Sequence, residues 1–184
     1  MPAGTICWDD GLRTSARWLE KFFLHAGLNN AVRVAVALGS NLGDRKHYLE
    51  FARERLAALL SDFRMSRSIE TEAVGVPDPQ PHFLNAAVVG DTALSALDFF
   101  YALQEIERAA GRERPFPGAA RSLDLDLILF GTKIIAGQPL TLPHPRFRER
   151  RFVLEPLAEI APDLRDPITS LTIAELLARL PPAR

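Results

Sequence analysis

The order of strand-like and helix-like segments constrains the fold of this chain more than any other feature. Short β-branched or alternating runs and longer runs of helical periodicity succeed one another as β-α-β-β-α-β, separated by loops rich in proline and glycine. This order is typical of a ferredoxin-like βαββαβ sandwich, an α+β fold whose helices pack on one or both sides of a mainly antiparallel sheet. We therefore expect one such domain over residues 33–184, with a hairpin and short helices added towards its C-terminal end.

The bounds of these segments follow from their periodicity and from the residues that interrupt it. Asp44 is expected to cap the first helix. The second helix has an apolar periodicity formed by Leu97, Phe100, Tyr101, Leu103 and Ile106. The predicted strands cover residues 33–38, 63–74, 83–89 and 122–130, with a hairpin over 131–138, and the predicted helices cover residues 45–60, 95–110, 146–160 and 172–180.

Residues 1–32 form a predicted N-terminal extension to this domain. Trp18, Leu19, Phe22 and Phe23 recur within it at helical spacing, which fits an amphipathic helix used for docking or for dimer formation. The simpler interpretation, which we favour, is a packed or partly disordered tail. A monomer is therefore the expected state, with a dimer through the extension as the alternative.

The charge balance excludes some classes of partner and favours another. The 184 residues carry 22 basic and 23 acidic side chains, a balance that argues against nucleic acid or an anionic membrane as a partner. Residues 108–151 nevertheless carry nine basic and four acidic side chains, and eight of the nine are arginines. Because the guanidinium fork suits carboxylates and phosphates, this basic block predicts a small anionic ligand.

The cysteine content and the hydropathy predict a cytoplasmic protein. Cys7 is the single cysteine, so no internal disulfide can form, which fits a reducing compartment. No apolar run approaches the roughly 20 residues of a membrane span. The N-terminus also lacks the apolar stretch of a signal peptide.

Two aspartates in the run SLDLDLILF are the first candidate for chemistry. Side chains alternate along a strand, so Asp124 and Asp126 should share one face, which would continue with Ile128 and Phe130. Two carboxylates on a partly covered face repel each other unless a cation lies between them, and Mg²⁺ prefers such oxygen ligands. The alternative is a solvated strand face without a metal.

The arginines around this strand strengthen the metal hypothesis. Guanidinium groups beside a carboxylate pair are the expected parts of a phosphoryl-transfer site, although several could simply pair with acids or face water. For His144, which lies between two prolines, phosphate contact and a structural role both remain open. No zinc site is expected, because the other histidines have no partner at ligand spacing. The flanking arginines are Arg112, Arg114, Arg121, Arg146, Arg148, Arg150 and Arg151.

Phe83 and Asn85 lie two residues apart on a predicted strand and should share a face. With Phe152 they could stack on and hydrogen-bond a flat heterocycle, although phenylalanines at such positions are more often core residues. The turn 39–44 has neither the P-loop pattern nor the dinucleotide-binding glycine pattern, so it supports neither chemistry.

Five short motifs in sequence order resemble the hydroxymethyl-dihydropterin pyrophosphokinase family of folate synthesis. They are LGSNL at 38–42, FLNA at 83–86, GRER at 111–114, RSLDLD at 121–126 and PH at 143–144, and the resemblance covers about residues 33–165. The resemblance implies a ferredoxin-like fold and transfer of pyrophosphate from ATP to 6-hydroxymethyl-7,8-dihydropterin, releasing AMP. It also implies two Mg²⁺ ions held by Asp124 and Asp126.

The same resemblance implies a role for individual residues. Arg112, Arg121 and His144 would be catalytic through phosphate contacts. The ATP site would comprise Gln104, Glu107, Arg112, Arg114, Arg121, Leu127, Leu140, Thr141, His144 and Arg150. The pterin site would comprise Gly39, Asn41, Thr71, Val74, Phe83, Asn85 and Phe152.

The sequence departs from the family pattern at several positions, including Pro145 after His144 and the loop before the metal strand, and two other functions are alternatives. Many family members have Trp-Gly-Pro-Arg before the metal strand, whereas this chain has Pro-Gly-Ala-Ala-Arg, with Phe116 as a candidate replacement for the tryptophan. A ferredoxin-like RNA-binding module would need an aromatic RNP pattern on its sheet, which the sequence lacks. A D-x-D metal nuclease is the third hypothesis, which a phosphodiester cleavage assay would separate from the others.

Overall fold

The computed structural model describes residues 31–72, 80–111 and 119–181, which form an antiparallel sheet and the helices that cover it. The predicted extension therefore lies almost entirely outside the described residues, as do Val74, Arg112, Arg114 and Phe116. The strands are β1 (Val32–Ser40), β2 (Ser61–Met65), β3 (Ile69–Thr71), β4 (Phe83–Thr92) and β5 (Asp124–Phe130). The helices are α1 (Arg45–Ala57), α2 (Ala96–Ala109), α3 (Arg151–Ile160) and α4 (Ile173–Ala178).

The sheet has the order β2-β4-β1-β5, and β3 pairs with the other end of β4. All pairings are antiparallel, and β1 is central, with β4 on one side and β5 on the other. The apolar β-branched and small residues of β1 fit this position, because a central strand covered on both faces has no polar side. The predicted α+β, ferredoxin-like class is confirmed.

Helices cover both faces of the sheet. On one face, α1 and α2 pack on Val34, Val36 and Leu38 of β1. On the other face, α3 and α4 pack on Ala35 of β1 and on residues of β4. Of the two arrangements predicted, helices on both sides is the one observed, and none of the described helices is long and apolar enough to cross a bilayer.

The N-terminus of α1 confirms the predicted cap. The backbone N–H of His47 donates to Asp44 Oδ1 at 3.0 Å, which satisfies one of the free donors of the first turn. This cap ends the turn that leads out of β1 and so fixes where the chain leaves the sheet.

The predicted strand over 63–74 is wrong in one respect, because it forms two strands. Met65 lies opposite Val88 and Ile69 lies opposite Asn85, so three residues between them face two residues of β4. Ser66 makes this bulge possible, since its hydroxyl accepts the N–H of Ala87 at 2.9 Å in place of a strand carbonyl. The bend carries β3 towards the same sheet end as the start of β5.

Helix α2 also buries a different set of residues from the set that the apolar periodicity predicts. Leu103 and Ile106 are buried as expected, but Leu97 is 42% exposed and Tyr101 is 44% exposed. The buried side instead contains Phe99 together with small alanines at 96 and 102, which allow the helix to approach the sheet closely.

A bulge in β5 shortens the strand face that Asp124 and Asp126 share. Ala35 lies opposite Leu129 and Val36 opposite Leu127, so Ile128 is an extra residue in the strand. Ile128 stays on the α3 side, as expected, but Phe130 packs in the core beneath α1 and α2. The prediction that the aspartate face continues to Phe130 is therefore wrong.

Two further segments near the C-terminal end depart from the prediction. The predicted helix over 146–160 is a 3-10 turn, Phe147–Glu149, followed by α3, because Arg150 has the non-helical angles φ −106° and ψ 98°. In place of a hairpin confined to 131–138, Ile135 pairs with Leu142 in a single antiparallel bridge. The break at Arg150 turns the following side chains towards the sheet end that carries Asp124.

Candidate active site

A cleft of about 650 Å³ lies at one end of the sheet, on the face that α3 covers. Gly39 of β1 forms its floor, in register with Asn85 of β4 on one side and Asp124 of β5 on the other. A Cβ atom at Gly39 would lie 3.2 Å from Asn85 Oδ1 and 3.5 Å from Phe83 Cδ1. Glycine at this position therefore keeps the floor open between the aromatic and the acidic side of the cleft.

Asp124 and Asp126, the acidic pair, line one side of the cleft. Burial and the neighbouring charge of Asp124 raise the pKa of Asp126, while His144 and Arg150 act in the opposite direction. Within the described part of the chain, no group of three or more His, Cys, Asp or Glu side chains could enclose a metal. Two repelling carboxylates with open positions fit Mg²⁺, which is usually held by one or two carboxylates together with substrate phosphates.

Each aspartate of the pair has an arginine beside it, and each arginine also covers a phenylalanine ring. Arg121 Nη2 lies 2.6 Å from Asp124 Oδ2, and its Cζ is 5.3 Å from the centre of the Phe83 ring. Arg150 Nη1 lies 3.4 Å from Asp126 Oδ2 and its Cζ is 5.6 Å from the centre of the Phe152 ring. The cleft thus joins cations, carboxylates and two aromatic surfaces.

His144 faces the acidic pair with a fixed orientation. Its backbone N–H donates to Ile128 O at 3.0 Å, and its Nδ1 accepts the N–H of Arg146 at 3.3 Å. Burial lowers the pKa of His144, although Asp126 opposes this effect. When the ring is neutral, the hydrogen bond accepted by Nδ1 places its proton on Nε2, which lies 3.8 Å from Asp126 Oδ2.

The predicted pterin residues on β3 and β4 also meet at the cleft. Phe83 and Thr71 are register partners, and Asn85 Nδ2 donates to Thr71 Oγ1 at 2.8 Å. This hydrogen bond fixes the Asn85 amide so that its oxygen faces the floor at Gly39. Phe152, at the start of α3, lines the same cleft.

Asn41 lies behind the cleft wall, where it joins two chain segments. It is buried, and its amide donates to Gln80 Oε1 at 3.0 Å and to Pro81 O at 3.3 Å. Its Oδ1 accepts the N–H of Arg121 at 2.8 Å, and its own N–H donates to Arg121 O at 3.1 Å. Asn41 therefore holds the segments that lead into β4 and into β5, a role that its motif alone did not reveal.

The remaining predicted nucleotide residues do not line this cleft. Glu107 is buried beneath the sheet, where Oε1 accepts the N–H of Leu125 at 2.7 Å, and Gln104 is exposed on the same helix. Leu127 and Leu140 belong to the core under α1 and α2, and Thr141 is exposed. Their contact with a nucleotide stays a prediction.

Four charged residues of the cleft are not among the individual ligands predicted above. They are Glu72, Arg146, Glu149 and Arg151. The signal in the sequence is that both arginines belong to the basic block after His144. Their position depends on the 3-10 turn and on the bend before β3, which a periodicity argument does not find.

Comparison with known proteins gives a consistent set of similarities. The family model described as 7,8-dihydro-6-hydroxymethylpterin-pyrophosphokinase matches residues 35–162. A 2-amino-4-hydroxy-6-hydroxymethyldihydropteridine pyrophosphokinase of Pseudomonas aeruginosa is 40% identical over 157 residues, which cover 81% of this chain and 92% of that protein. The Bacillus subtilis protein of the same name is 42% identical over 137 residues, with 73% and 81% covered.

Two longer proteins are similar over only part of their own length. The folic acid synthesis protein fol1 of Pneumocystis carinii is 36% identical over 148 residues, which are 80% of this chain but 20% of that protein. The crystal structure of wild-type Plasmodium falciparum HPPK-DHPS superposes with a TM-score of 0.63 at 14% identity, covering 84% of this chain and 46% of that one. At that identity the structural likeness concerns the fold.

Proposed function

Because the chain belongs to the 7,8-dihydro-6-hydroxymethylpterin-pyrophosphokinase family, we propose that both substrates of the family reaction bind in the cleft above Gly39. The protein is a transferase of folate synthesis that moves pyrophosphate from its co-substrate ATP to the hydroxymethyl group of 6-hydroxymethyl-7,8-dihydropterin. AMP is the second product. The family assignment does not favour the RNA-binding alternative.

One observation carries the assignment of the cleft: an aromatic half and a charged half meet at a floor that has no side chain. Phe83 and Phe152 supply two apolar ring surfaces for the pterin, and the fixed Asn85 amide supplies hydrogen bonds to its edge. The acidic pair with Arg121, Arg150 and His144 forms the phosphate half. A pterin held on the aromatic half would present its hydroxymethyl group to that half.

Asp124 and Asp126 would hold Mg²⁺, and two ions are proposed. When bound, the metal would neutralise negative charge on the phosphate oxygens, which would lower the repulsion that opposes attack by a hydroxyl group. The repulsion within the acidic pair supports this assignment, because a cation relieves it. ATP would supply ligands that the two carboxylates do not.

The protein side chains orient the substrates and balance charge. Arg121 and Arg150 would exchange part of their contact with the acidic pair for contact with phosphate oxygens. Neutral His144 would donate from Nε2 to a phosphate oxygen. No general base is assigned, since in-line positioning of the hydroxyl is the main requirement of this transfer. A monomeric state and a cytoplasmic location belong to the same proposal, and the single cysteine in the sequence supports the location.

Product analysis tests the assignment of the cleft. The protein is incubated with ATP, Mg²⁺ and 6-hydroxymethyl-7,8-dihydropterin, and nucleotides are separated by ion-exchange chromatography. We expect AMP in equal amount to the pterin pyrophosphate, and none without the pterin. Phe83→Ala and Phe152→Ala should raise the pterin KM, whereas Phe51→Ala, outside the cleft, should leave it unchanged. Release of ADP would contradict the reaction, and unchanged pterin KM in both cleft variants would contradict the site.

A further inference from the structure

The arginines of the described cleft wall differ in what their side chains contact. Arg121 and Arg150 contact the acidic pair, and Arg151 Nη2 donates to Pro181 O at 2.6 Å. Arg146 is exposed and lines the same cleft. Within residues 31–72, 80–111 and 119–181, the structure shows no ion pair or hydrogen bond for its side chain.

The backbone of Arg146 is nevertheless fixed at the phosphate half. Its N–H donates to His144 Nδ1 at 3.3 Å, and its carbonyl accepts the N–H of Glu149 at 3.3 Å at the start of the 3-10 turn. The same guanidinium contributes to the lowered pKa of His144, so its positive charge is felt at that ring. Arg146 is thus an exposed cation whose backbone is held by two hydrogen bonds at the start of the 3-10 turn, two residues from a proposed phosphate contact.

We propose that Arg146 captures the triphosphate of ATP when the nucleotide enters the cleft. This inference rests on the proposed function. Arg121 and Arg150 would exchange part of their contact with an aspartate for contact with phosphate, and that exchange offsets part of the gain. Among the described residues Arg146 has no such contact to break, so its pairing with an anion is limited mainly by screening from solvent.

The proposal predicts an effect on nucleotide binding rather than on turnover. A cation at the rim of a cleft raises the rate at which an anion associates, and this contribution weakens as salt is added. Once Mg²⁺-bound ATP is in place, Arg121, Arg150 and His144 contact the transferred group. Loss of Arg146 should therefore raise the KM for ATP and leave kcat nearly unchanged.

Binding of ATP and of pterin, measured separately, tests the proposal. The probes are an ATP analogue with a methylene group between the α- and β-phosphates, added with Mg²⁺, and 6-hydroxymethylpterin alone. The variants are Arg146→Gln, Arg146→Lys and the charge-matched control Arg179→Gln, which changes an exposed arginine of α4's C-terminal end away from the cleft. Calorimetry gives the Kd, and stopped-flow mixing at several salt concentrations gives the association rate.

We expect Arg146→Gln to weaken analogue binding by about tenfold, to slow association and to flatten its salt dependence. Arg146→Lys should restore most of the affinity because it keeps the charge, and pterin binding should not change. Analogue affinity within about twofold of the wild type, or an equal loss in Arg179→Gln, would overturn the proposal. If the wild type makes AMP while Arg146→Gln binds normally, only this inference fails; if the wild type makes none, the proposed function fails.

Discussion

Two sets of arginine–aspartate contacts in this molecule differ in burial and in how many hydrogen bonds the carboxylate accepts. Asp166 has no exposed surface, and Arg148 donates to both of its oxygens, from Nε at 2.7 Å and from Nη2 at 2.6 Å. The hydroxyl of Thr169 and the N–H groups of Ile168 and Thr169 also donate to this carboxylate. Arg148 and Asp166, the closed pair, thus leave no carboxylate oxygen without a donor.

Asp126 in the cleft has the opposite environment. A third of its side chain is exposed, Arg150 is 3.4 Å away, and Asp124 shares its strand face. Burial works to raise the pKa of Asp166, but its hydrogen bonds from Arg148 and Thr169 lower that pKa to about 2. The pKa of Asp126 is instead raised by burial and by Asp124. The same two residue types therefore form a fully hydrogen-bonded contact in one place and a partly exposed contact with spare carboxylate positions at the proposed site.

Removal of a charge from the acidic pair should give the largest effect, and the loss should be one of activity. Asp124→Asn and Asp126→Asn should each lower kcat by about a thousandfold or more, because neither amide holds Mg²⁺ as a carboxylate does. In metal-free buffer Asp126→Asn should keep or raise Tm, since charged Asp126 is disfavoured in the fold. Rates of AMP formation and thermal unfolding measure the two quantities.

Asp163→Asn is the matched control for this prediction, because Asp163 is an exposed aspartate outside the cleft. It should change neither rate nor Tm. A large fall in Tm for Asp126→Asn would show that the acidic pair stabilises the fold as the closed pair does, and would remove the contrast between them.

Local pattern was enough to predict much of the cleft. Alternation along β5 correctly placed Asp124 and Asp126 on one face, and the cap at Asp44 was found from the first turn of α1. The alternation of side chains wrongly placed Phe130 on the aspartate face, because the bulge at Ile128 depends on how β1 pairs with β5. Pairing across the sheet is a tertiary property that the strand's own alternation does not contain.

The closed pair shows a second limit of sequence reasoning. Arg148 was grouped with the arginines expected near phosphate, yet Asp166, 18 residues further along, binds its guanidinium. No motif connects the two residues, since only the fold of the segment after α3 brings them together. Likewise, the buried face of α2 contains Phe99 with Ala96 and Ala102 in place of Leu97 and Tyr101, a phase that the apolar periodicity did not predict.

Loss of the Asp166 charge should lower stability and leave the chemistry intact. Asp166→Asn keeps the volume but removes the bidentate contact, so we expect a loss of about 3 kcal/mol in the free energy of unfolding. Urea titration at pH 7 measures this loss. At a temperature where the variant remains folded, kcat should stay within about twofold of the wild type, since the pair lies outside the cleft.

Arg165→Gln serves as the control, because Arg165 is an exposed arginine in the same segment whose side chain donates to Ser170 O at 2.8 Å. It should cost less stability than Asp166→Asn. If Asp166→Asn lowered kcat as strongly as Asp126→Asn, the closed pair would belong to the active site.

The pH dependence of stability should also distinguish Asp166 of the closed pair from Asp126 of the acidic pair. The pKa of Asp166 is about 2 in the fold against an ordinary value of 3.8, so its contribution is present above pH 3.8 and is lost as pH falls towards 2. At about 1.4 kcal/mol per pKa unit, this amounts to roughly 2 kcal/mol. Urea titrations between pH 6 and pH 3 should show the stability difference between wild type and Asp166→Asn shrinking as pH falls. A difference that stays constant would mean that the pair stabilises through packing instead of charge.

The smallest expected effect comes from one methyl group on the cleft floor. Gly39→Ala places a carbon 3.2 Å from Asn85 Oδ1, so it should raise the pterin KM by about tenfold with little change in unfolding free energy. Gly90→Ala is the matched control, because Gly90 lies on β4 away from the cleft. A Cβ atom there would lie 2.8 Å from Leu60 Cβ and 3.0 Å from Ser61 O. It should cost about 1–2 kcal/mol of stability and leave KM unchanged. The reverse outcome, lost stability at Gly39 with a normal KM, would mean that the floor is closed by packing and that the pterin binds elsewhere.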